Sequence, residues 1–560
     1  LTQIVTSSLS VGRSVGQADP CWYLALLSTT IRVDSSFMHT TTNWGAKMQN
    51  NLGLFLSKRA FLSPTREAYV ESDGSLRLTY AELNSRCNQL ANSFADAGIA
   101  KGERVGLLLM NSSEFMESYY ALAKVGAVVV PLNWRLVADE LEFILKDSGT
   151  TRLIFDNEFV DTVAELHSRG DKTDIKQWLH VTEDDSAHFA ESYRVFRDVG
   201  DTAEPEVRAA DHDMLYIMYT SGTTGLPKGV VHTHHTSIWG LLTIGGTAVY
   251  HDPERYLACL PMFHVGALTP LAVNVYMGAT SVVMRSFDPV EAWRIIEREK
   301  ITSGLAVPAM LSFMLQVPNF ENFDRSTLKW MMTGAAPVPP SLVKTFSDMG
   351  IGIQQVYGLT ETCGPACLMD AENAIKHPAS TGKAFFHTEV KIADDDGVEV
   401  PRGTAGEVLV KGEHIMVEYW NRPEATSETI KNGWLHTGDV AIMDDEGFVS
   451  IQDRIKDMII SGGENVYPAE IEGLLATHPG IREAAVIGQD SERWGESPLA
   501  IVVKSDDGLT APEVLEFCQG KLARFKQPQV VEFIDEIPRN PSGKILKRVL
   551  REQFDRDAPV

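Results

Sequence analysis

The sequence predicts an α/β protein. A large N-terminal domain of parallel and mixed sheets with crossover helices carries a β-rich subdomain, and a small α+β C-terminal domain follows. Three observations predict this. At 560 residues the chain exceeds what one ordinary core accommodates. From about Leu78 to Gly358, short apolar runs alternate with stretches of helical periodicity, the rhythm of parallel strands joined by crossover helices. After about Lys391 the texture changes to short alternating segments between glycine turns, which suits antiparallel pairing.

The regular pattern opens at "LTYAELNSRCNQLANSFADAG", where Thr79 and Glu82 form a capping box. Leu83, Cys87, Leu90, Ala91 and Phe94 then recur at helical spacing. A buried strand is expected over 105–109, a helix over 113–124 and a strand over 127–130, with further strands at 152–156, 215–220, 280–284 and 352–358. Residues 171–208 are polar and aperiodic and read as a surface excursion. Segments 407–412 and 447–453 read as antiparallel strands. Beyond them a helix begins at Pro468, strands follow at 483–487 and 499–504, Thr510 and Glu513 cap another helix, and a strand at 530–534 precedes a basic terminal segment. A boundary at "DRIKD" divides the chain into domains 38–453 and 454–560. The first 37 residues lack clear periodicity and read as an extension, with the folded protein beginning near Met38.

The balance of 50 basic against 75 acidic residues gives a net charge of −25. This argues against nucleic acid or an anionic membrane as a partner. "CWYLALL" is too short to span a bilayer. Six scattered cysteines suit reduced thiols in a cytoplasm rather than a disulfide framework. Cys363 and Cys367 form a close pair, but no second cluster completes a zinc site. His232, His234 and His235 have no carboxylate or cysteine beside them in the sequence and read as a polar flank. A cytoplasmic protein is expected, and a homodimer is compatible with the sequence.

"YTSGTTGLPKGV" (219–230) combines three glycines, four hydroxyl side chains and one lysine. Bare backbone, hydroxyl donors and a cation together suit phosphate oxygens. It is not the P-loop, because Lys228 precedes Gly229 rather than Ser or Thr. "QVYGLTET" (355–362) offers Tyr357 to stack on a base and Glu361 to hold magnesium through oxygen; a strand-end turn with a solvated glutamate has the same sequence. "GWLHTGD" (433–439) places Asp439 after a glycine turn, where a carboxylate suits ribose hydroxyls. Arg454 follows in "DRIKDMIISGGENVYPAEIE", and "IPRNPSGKILKR" presents Lys544 on a turn. Phosphate donors, a stacking aromatic, a metal carboxylate and a ribose acceptor together point to ATP.

From about Leu78 to Arg548 the chain resembles the adenylate-forming enzymes, specifically the acyl-CoA synthetases and 4-coumarate-CoA ligase relatives. "LTYAELN", "KVGAVVVPLN", "PMFHVGAL", "TGAAPV" and "GTAGEVLVKG" occur in the family's order. The resemblance implies a two-step reaction. A carboxylate and ATP give acyl-AMP and pyrophosphate, and coenzyme A then displaces AMP. It implies that Thr220, Ser221, Gly222, Thr223, Thr224, Gly225 and Lys228 cradle phosphates, and that Glu361 holds Mg2+ while Thr360 donates to the α-phosphate. Gly334, Ala335, Ala336 and Tyr357 would form the adenine pocket, Gly358 would also touch the nucleotide, and Asp439 with Arg454 would take the ribose.

By the same resemblance Lys544 bridges the attacking carboxylate and the α-phosphate. The C-terminal domain is then mobile about Lys456, and Gly462 and Gly463 flank a pantetheine tunnel. His264 resembles a gate near the carboxylate; a buried structural histidine is the alternative. The acyl pocket would draw on His264, Val307, Met310, Gly334, Ala335, Val356 and Cys363. These positions offer no Lys or Arg for a second carboxylate and no Asp for an amino group, which favours an apolar fatty, aryl or alicyclic acid. Transfer to a carrier protein and a non-catalytic nucleotide-binding relative are the alternatives.

Overall fold

The computed structural model describes residues 50–182, 184–220, 226–250, 253–336, 338–461, 464–491, 494–519, 521–539 and 545–554. The chain divides into two units, Leu1–Met48 and Gln49–Val560, and the second holds all the described residues. The first unit, and with it the expected boundary near Met38, lies outside them, as do Ser221 to Gly225, Gly462, Gly463 and Lys544.

Among the described residues the chain forms four sheets. One has nine strands. Its interior is parallel, running through Glu67–Glu71, Thr280–Val283, Arg255–Ala258, Ser303–Leu305, Trp330–Gly334 and Gly352–Tyr357, with antiparallel strands at both edges. Another has eight strands, parallel from Met214–Thr220 through Val128–Pro131, Arg104–Leu108 and Thr150–Asp156 to Gln177–Val181.

Strand alternation explains how these sheets bury both faces. Neighbouring side chains point to opposite sides, so Met332 joins a core between the two sheets while Met331 packs against helices on the outside. Ile154 and Leu153 divide in the same way. That is why the strands read as continuous apolar runs. The central core includes helix Tyr80–Asp96, started by the Thr79–Glu82 capping box, and helix Ser113–Val125, of which every residue is buried.

Residues 171–208 are not a surface excursion. Gln177–Val181 is a strand of the eight-stranded sheet, Glu191–Ser192 pairs with it, and Tyr193–Asp198 is a helix. Trp178, Leu179, Tyr193 and Arg197 are buried. The strand is short and flanked by charged residues, so its polar neighbours mask an apolar run that the sheet completes. Arg197 is ordered by a buried carboxylate, Glu117, at 3.0 Å.

Strands Glu389–Ala393, Ala405–Lys411, Trp434–Met443 and Val449–Arg454 form the expected antiparallel subdomain. Beyond Arg454 a separate sheet joins Ile459–Ser461, Glu464–Val466, Ile481–Ser491, Gly495–Lys504 and Val530–Phe533 around its own core. Helices Pro468–Leu475 and Ala511–Cys518 belong to this part. No helix among the described residues is long and apolar enough to cross a membrane.

Candidate active site

The candidate site lies where strands of different sheets end. Strand Met214–Thr220 pairs antiparallel with Lys228–Thr233, with Thr220 opposite Lys228, so the Gly-rich segment connects a hairpin. Thr220 Oγ1 donates to the Lys228 carbonyl at 3.4 Å. Asp147 secures the hairpin from the side. Its Oδ2 accepts from Tyr219 OH at 2.7 Å, its Oδ1 faces Arg422 at 2.7 Å, and its carbonyl accepts from Trp420 Nε1 at 3.0 Å.

A second strand, Glu418–Tyr419, runs along the hairpin with Tyr419 opposite Val230. This register sets the Tyr419 ring 5.0 Å from Lys228 Nζ and lets Tyr419 OH donate to Glu361 Oε1 at 2.7 Å. Burial and the Glu361 carboxylate hold the Tyr419 phenol protonated well above its usual range. One aromatic side chain thus joins Lys228 of the glycine-rich hairpin to the candidate metal carboxylate.

Glu361 sits in the turn Thr360–Thr362, whose three carbonyls are all taken. His232 Nε2 donates to Thr360 O at 2.8 Å, Met416 N to Glu361 O at 2.8 Å, and His414 Nδ1 to Thr362 O at 2.9 Å. Burial pushes both histidines down to about 4, so each is neutral at pH 7 with its proton on the donating nitrogen. The other nitrogens meet Thr236 Oγ1 at 3.0 Å and Thr388 Oγ1 at 2.7 Å. Uncharged donors therefore fix the turn without neutralising Glu361.

Asp439 lies opposite Arg454 across neighbouring strands. Its Oδ1 is 3.0 Å from Arg454 Nε, and its Oδ2 accepts from Tyr357 OH at 2.7 Å. Tyr357 ends the strand beside Trp330–Gly334, which places Gly334 and Ala335 next to it. Glycine is required here for packing: a Cβ on Gly334 would stand 2.1 Å from Val356 O, and one on Gly358 would stand 1.6 Å from Gly364 O. Ala335 (φ +66°) and Ala336 are exposed beyond the strand end.

Val307, Met310 and Val356 are half-buried against the core between the two large sheets. His264 precedes helix Val265–Met277, and burial with the nearby Arg135 guanidinium pushes it down to about 4. Cys363 is buried, its sulfur 3.4 Å from Tyr216 OH, and it belongs to the wall packed against Gly240. Lys456 lies exposed in the turn Ile455–Asp457, where Arg551 reaches Asp457 Oδ1 at 2.9 Å.

The histidine trio departs from expectation. His232 and His234 are buried, the latter accepting from Leu52 N at 3.1 Å. His235 does have carboxylates: Asp211 Oδ1 at 3.2 Å from Nδ1 and Glu413 Oε2 at 2.8 Å from Nε2. Both partners are distant in sequence, which hid them.

Sequence reasoning missed Tyr419, His232 and His414. "EYWNRPEAT" carried a usable signal for the first: an aromatic pair, Asn421 in a left-handed turn (φ +53°), and proline opening helix Pro423–Thr429. The histidines gave none, because their role depends on contacts 128 and 52 residues away.

Residues 56–420 match the AMP-binding enzyme family and residues 470–544 its C-terminal domain. The chain belongs to the AMP-binding enzyme family. Over 510 residues it is 44% identical to the long-chain-fatty-acid–CoA ligase FadD13 of Mycobacterium tuberculosis, covering 91% of this chain and 99% of that one. It is 37% identical to a feruloyl-CoA synthase of Amycolatopsis, covering 90% and 99%. The o-succinylbenzoate coenzyme A synthetase of Bacillus subtilis in complex with ATP and magnesium superposes with a TM-score of 0.79 at 32% identity, covering 89% and 99%. The adenylate-forming fold and the activity of an ATP-dependent, AMP-forming acyl-CoA synthetase follow.

Proposed function

We propose that this chain activates an apolar carboxylic acid, with a fatty acyl chain as the first candidate, using ATP and Mg2+ and passing the acyl group to coenzyme A. The acid's carboxylate oxygen attacks the α-phosphorus, the bond to the β-phosphate oxygen breaks, and pyrophosphate leaves. The CoA thiolate then attacks the acyl carbonyl, and AMP departs with the bonding pair. Two anions approach one another in the first step, so catalysis lies in charge placement at the reacting oxygens.

In this reading Thr220 to Gly225 and Lys228 hold the β- and γ-phosphates, Glu361 holds Mg2+ and Thr360 donates to the α-phosphate. Gly334 to Ala336 and Tyr357 take the adenine, and Gly358 also touches the nucleotide; Asp439 and Arg454 take the ribose. Magnesium would supply charge neutralisation on the phosphate oxygens. His264 is neutral at the carboxylate end, and Val307, Met310, Val356 and Cys363 line or back the acyl pocket. Lys544 bridges carboxylate and α-phosphate during adenylation. The domain from 454 onward turns about Lys456, and Gly462 and Gly463 then admit pantetheine. A cytoplasmic place and the absence of a nucleic-acid partner belong to the same proposal and rest on the net charge of −25.

The observation that carries this reading is the single side chain, Tyr419, linking Lys228 to Glu361. Incubation with ATP, Mg2+ and fatty, aryl and alicyclic acids, with and without coenzyme A, tests it by mass spectrometry of the products. Fatty acyl-CoA is expected. Acyl-AMP persisting in the presence of coenzyme A would overturn the acceptor, and turnover confined to aryl or alicyclic acids would overturn the acyl class.

A further inference from the structure

The base of the phosphate-loop hairpin, the end opposite the candidate active site, carries a cluster that the proposed reaction does not use. Asp211 and His212 precede the first strand of the hairpin, and His235 is the second residue of the helix after its second strand. Their ligand atoms all lie within 4.8 Å of one another. His235 Nδ1 is 3.2 Å from Asp211 Oδ1, and His212 Nε2 is 3.7 Å from Asp211 Oδ2. Donors around a tetrahedral zinc, each about 2.0–2.2 Å from the ion, stand roughly 3.3–3.6 Å apart. The two measured separations, each to a different oxygen of the Asp211 carboxylate, fall just below and just above that edge.

His235 Nε2 faces Glu413 Oε2 at 2.8 Å while its Nδ1 faces Asp211 Oδ1 at 3.2 Å, so the ring is held between two carboxylates. A carboxylate on the distal nitrogen of a metal-ligating histidine is the usual outer-shell arrangement and orients the ring. The backbone is already held, since His235 N donates to Asp211 O at 2.6 Å and His234 N to Asp213 O at 3.1 Å. His212, His235 and Glu413 line an open cleft of about 870 Å³, so an ion can reach them from solvent.

We infer that Asp211, His212 and His235, with Glu413 orienting His235, form a binding site for a divalent transition metal of the zinc class. The ion would staple the two ends of the hairpin whose tip carries the phosphate loop. Imidazole nitrogens with one carboxylate suit Zn2+ or Co2+ and not Mg2+, whose sites are built of oxygen.

The test uses the full chain without ATP, in excess Mg2+ to occupy oxygen sites. Zn2+ binding is measured by competition with a chromogenic chelator, and Co2+ binding by its visible d–d bands. Expected are one site per chain and tetrahedral Co2+ bands without thiolate charge transfer. His212→Ala should weaken binding at least about tenfold, and Glu413→Gln should do so by roughly tenfold, the usual loss for an outer-shell partner. His212 is 79% exposed, so His212→Ala should keep its circular dichroism and far-from-site packing, which makes the loss interpretable. Zn2+ should raise the melting temperature of the parent and not of His212→Ala. No Zn2+ binding, binding unchanged in His212→Ala, or a Co2+ spectrum with thiolate bands would each overturn the inference. None of these readouts depends on turnover, so they stand apart from the proposed reaction.

Discussion

Helix Ser113–Val125 and the strand-end site both place ionised side chains away from water, but they partner them differently. On the helix, Glu117 is met by Arg86 at 2.7 Å and Arg197 at 3.0 Å, and Lys124 by Glu204 at 3.0 Å together with Asn84 and Asn88. At the site, Glu361 is met by a phenol and Lys228 by the face of the same phenol. A buried charge with no partner costs several kcal/mol, so the helix charges are matched by opposite charges. The site charges are half-buried and positioned by neutral groups, which in the proposed reaction leaves their field for an anionic nucleotide and its cation. Asp439, paired with Arg454, stands between the two cases.

The comparison breaks most visibly on the helix. Glu117→Ala should leave Arg86 and Arg197 facing each other in a buried space and destabilise the fold by about 3–5 kcal/mol, read by chemical denaturation. Activity per folded molecule should be unchanged. Glu361→Gln should do the opposite. The amide oxygen still accepts from Tyr419, so stability is expected to stay within about 0.5 kcal/mol. ATP–pyrophosphate exchange should fall roughly 10²–10³-fold, the scale of removing one electrostatic group from a charge-stabilising site. If Glu361→Gln lowered stability by several kcal/mol while exchange per folded molecule stayed unchanged, the contrast between helix and site would fail.

Acid should act through the neutral clamps. His232, His234 and His414 have folded values near 4 against an ordinary 6.5. The unfolded chain therefore binds more protons as pH falls. Their contribution is full above about 6.5, declines as pH drops toward 4, and amounts to at most about 3 kcal/mol each. Denaturation midpoints should be flat from pH 8 to 7 and fall steadily between 6.5 and 4. In His414→Gln, whose amide can still donate to Thr362 O, that slope should be shallower.

The architecture was legible because its strands are buried on both faces and its helices carry caps, as at Thr79–Glu82 and in the run 113–124. The strand Gln177–Val181, next to the sheet edge, was not, because a short strand among charged residues has too few positions for its period to stand out. Within the site, Lys228, Glu361 and Asp439 announce themselves through glycine-flanked turns. Tyr419 and the two histidines do not, since their importance is a matter of register. Tyr419 acts because it lies opposite Val230, and His232 because its alternation points inward to Thr360. Such residues become visible only when distant segments are brought together.

The smallest predicted effect is also the sharpest probe of the neutral partner. Tyr419→Phe removes the hydroxyl from Glu361 and keeps the ring beside Lys228. A hydrogen bond to a charged group contributes about 1.5–3 kcal/mol at most and less where solvent can replace it. The half-buried Glu361 can recruit water, so adenylation should fall only about tenfold, mainly as a higher Mg2+ requirement, because an unoriented carboxylate binds the cation less well. Tyr419→Leu, which also removes the ring, should lose further activity at saturating Mg2+ through a less ordered Lys228. Equal losses in the two variants would mean that the ring does nothing for the lysine, and Tyr419 would then serve Glu361 alone.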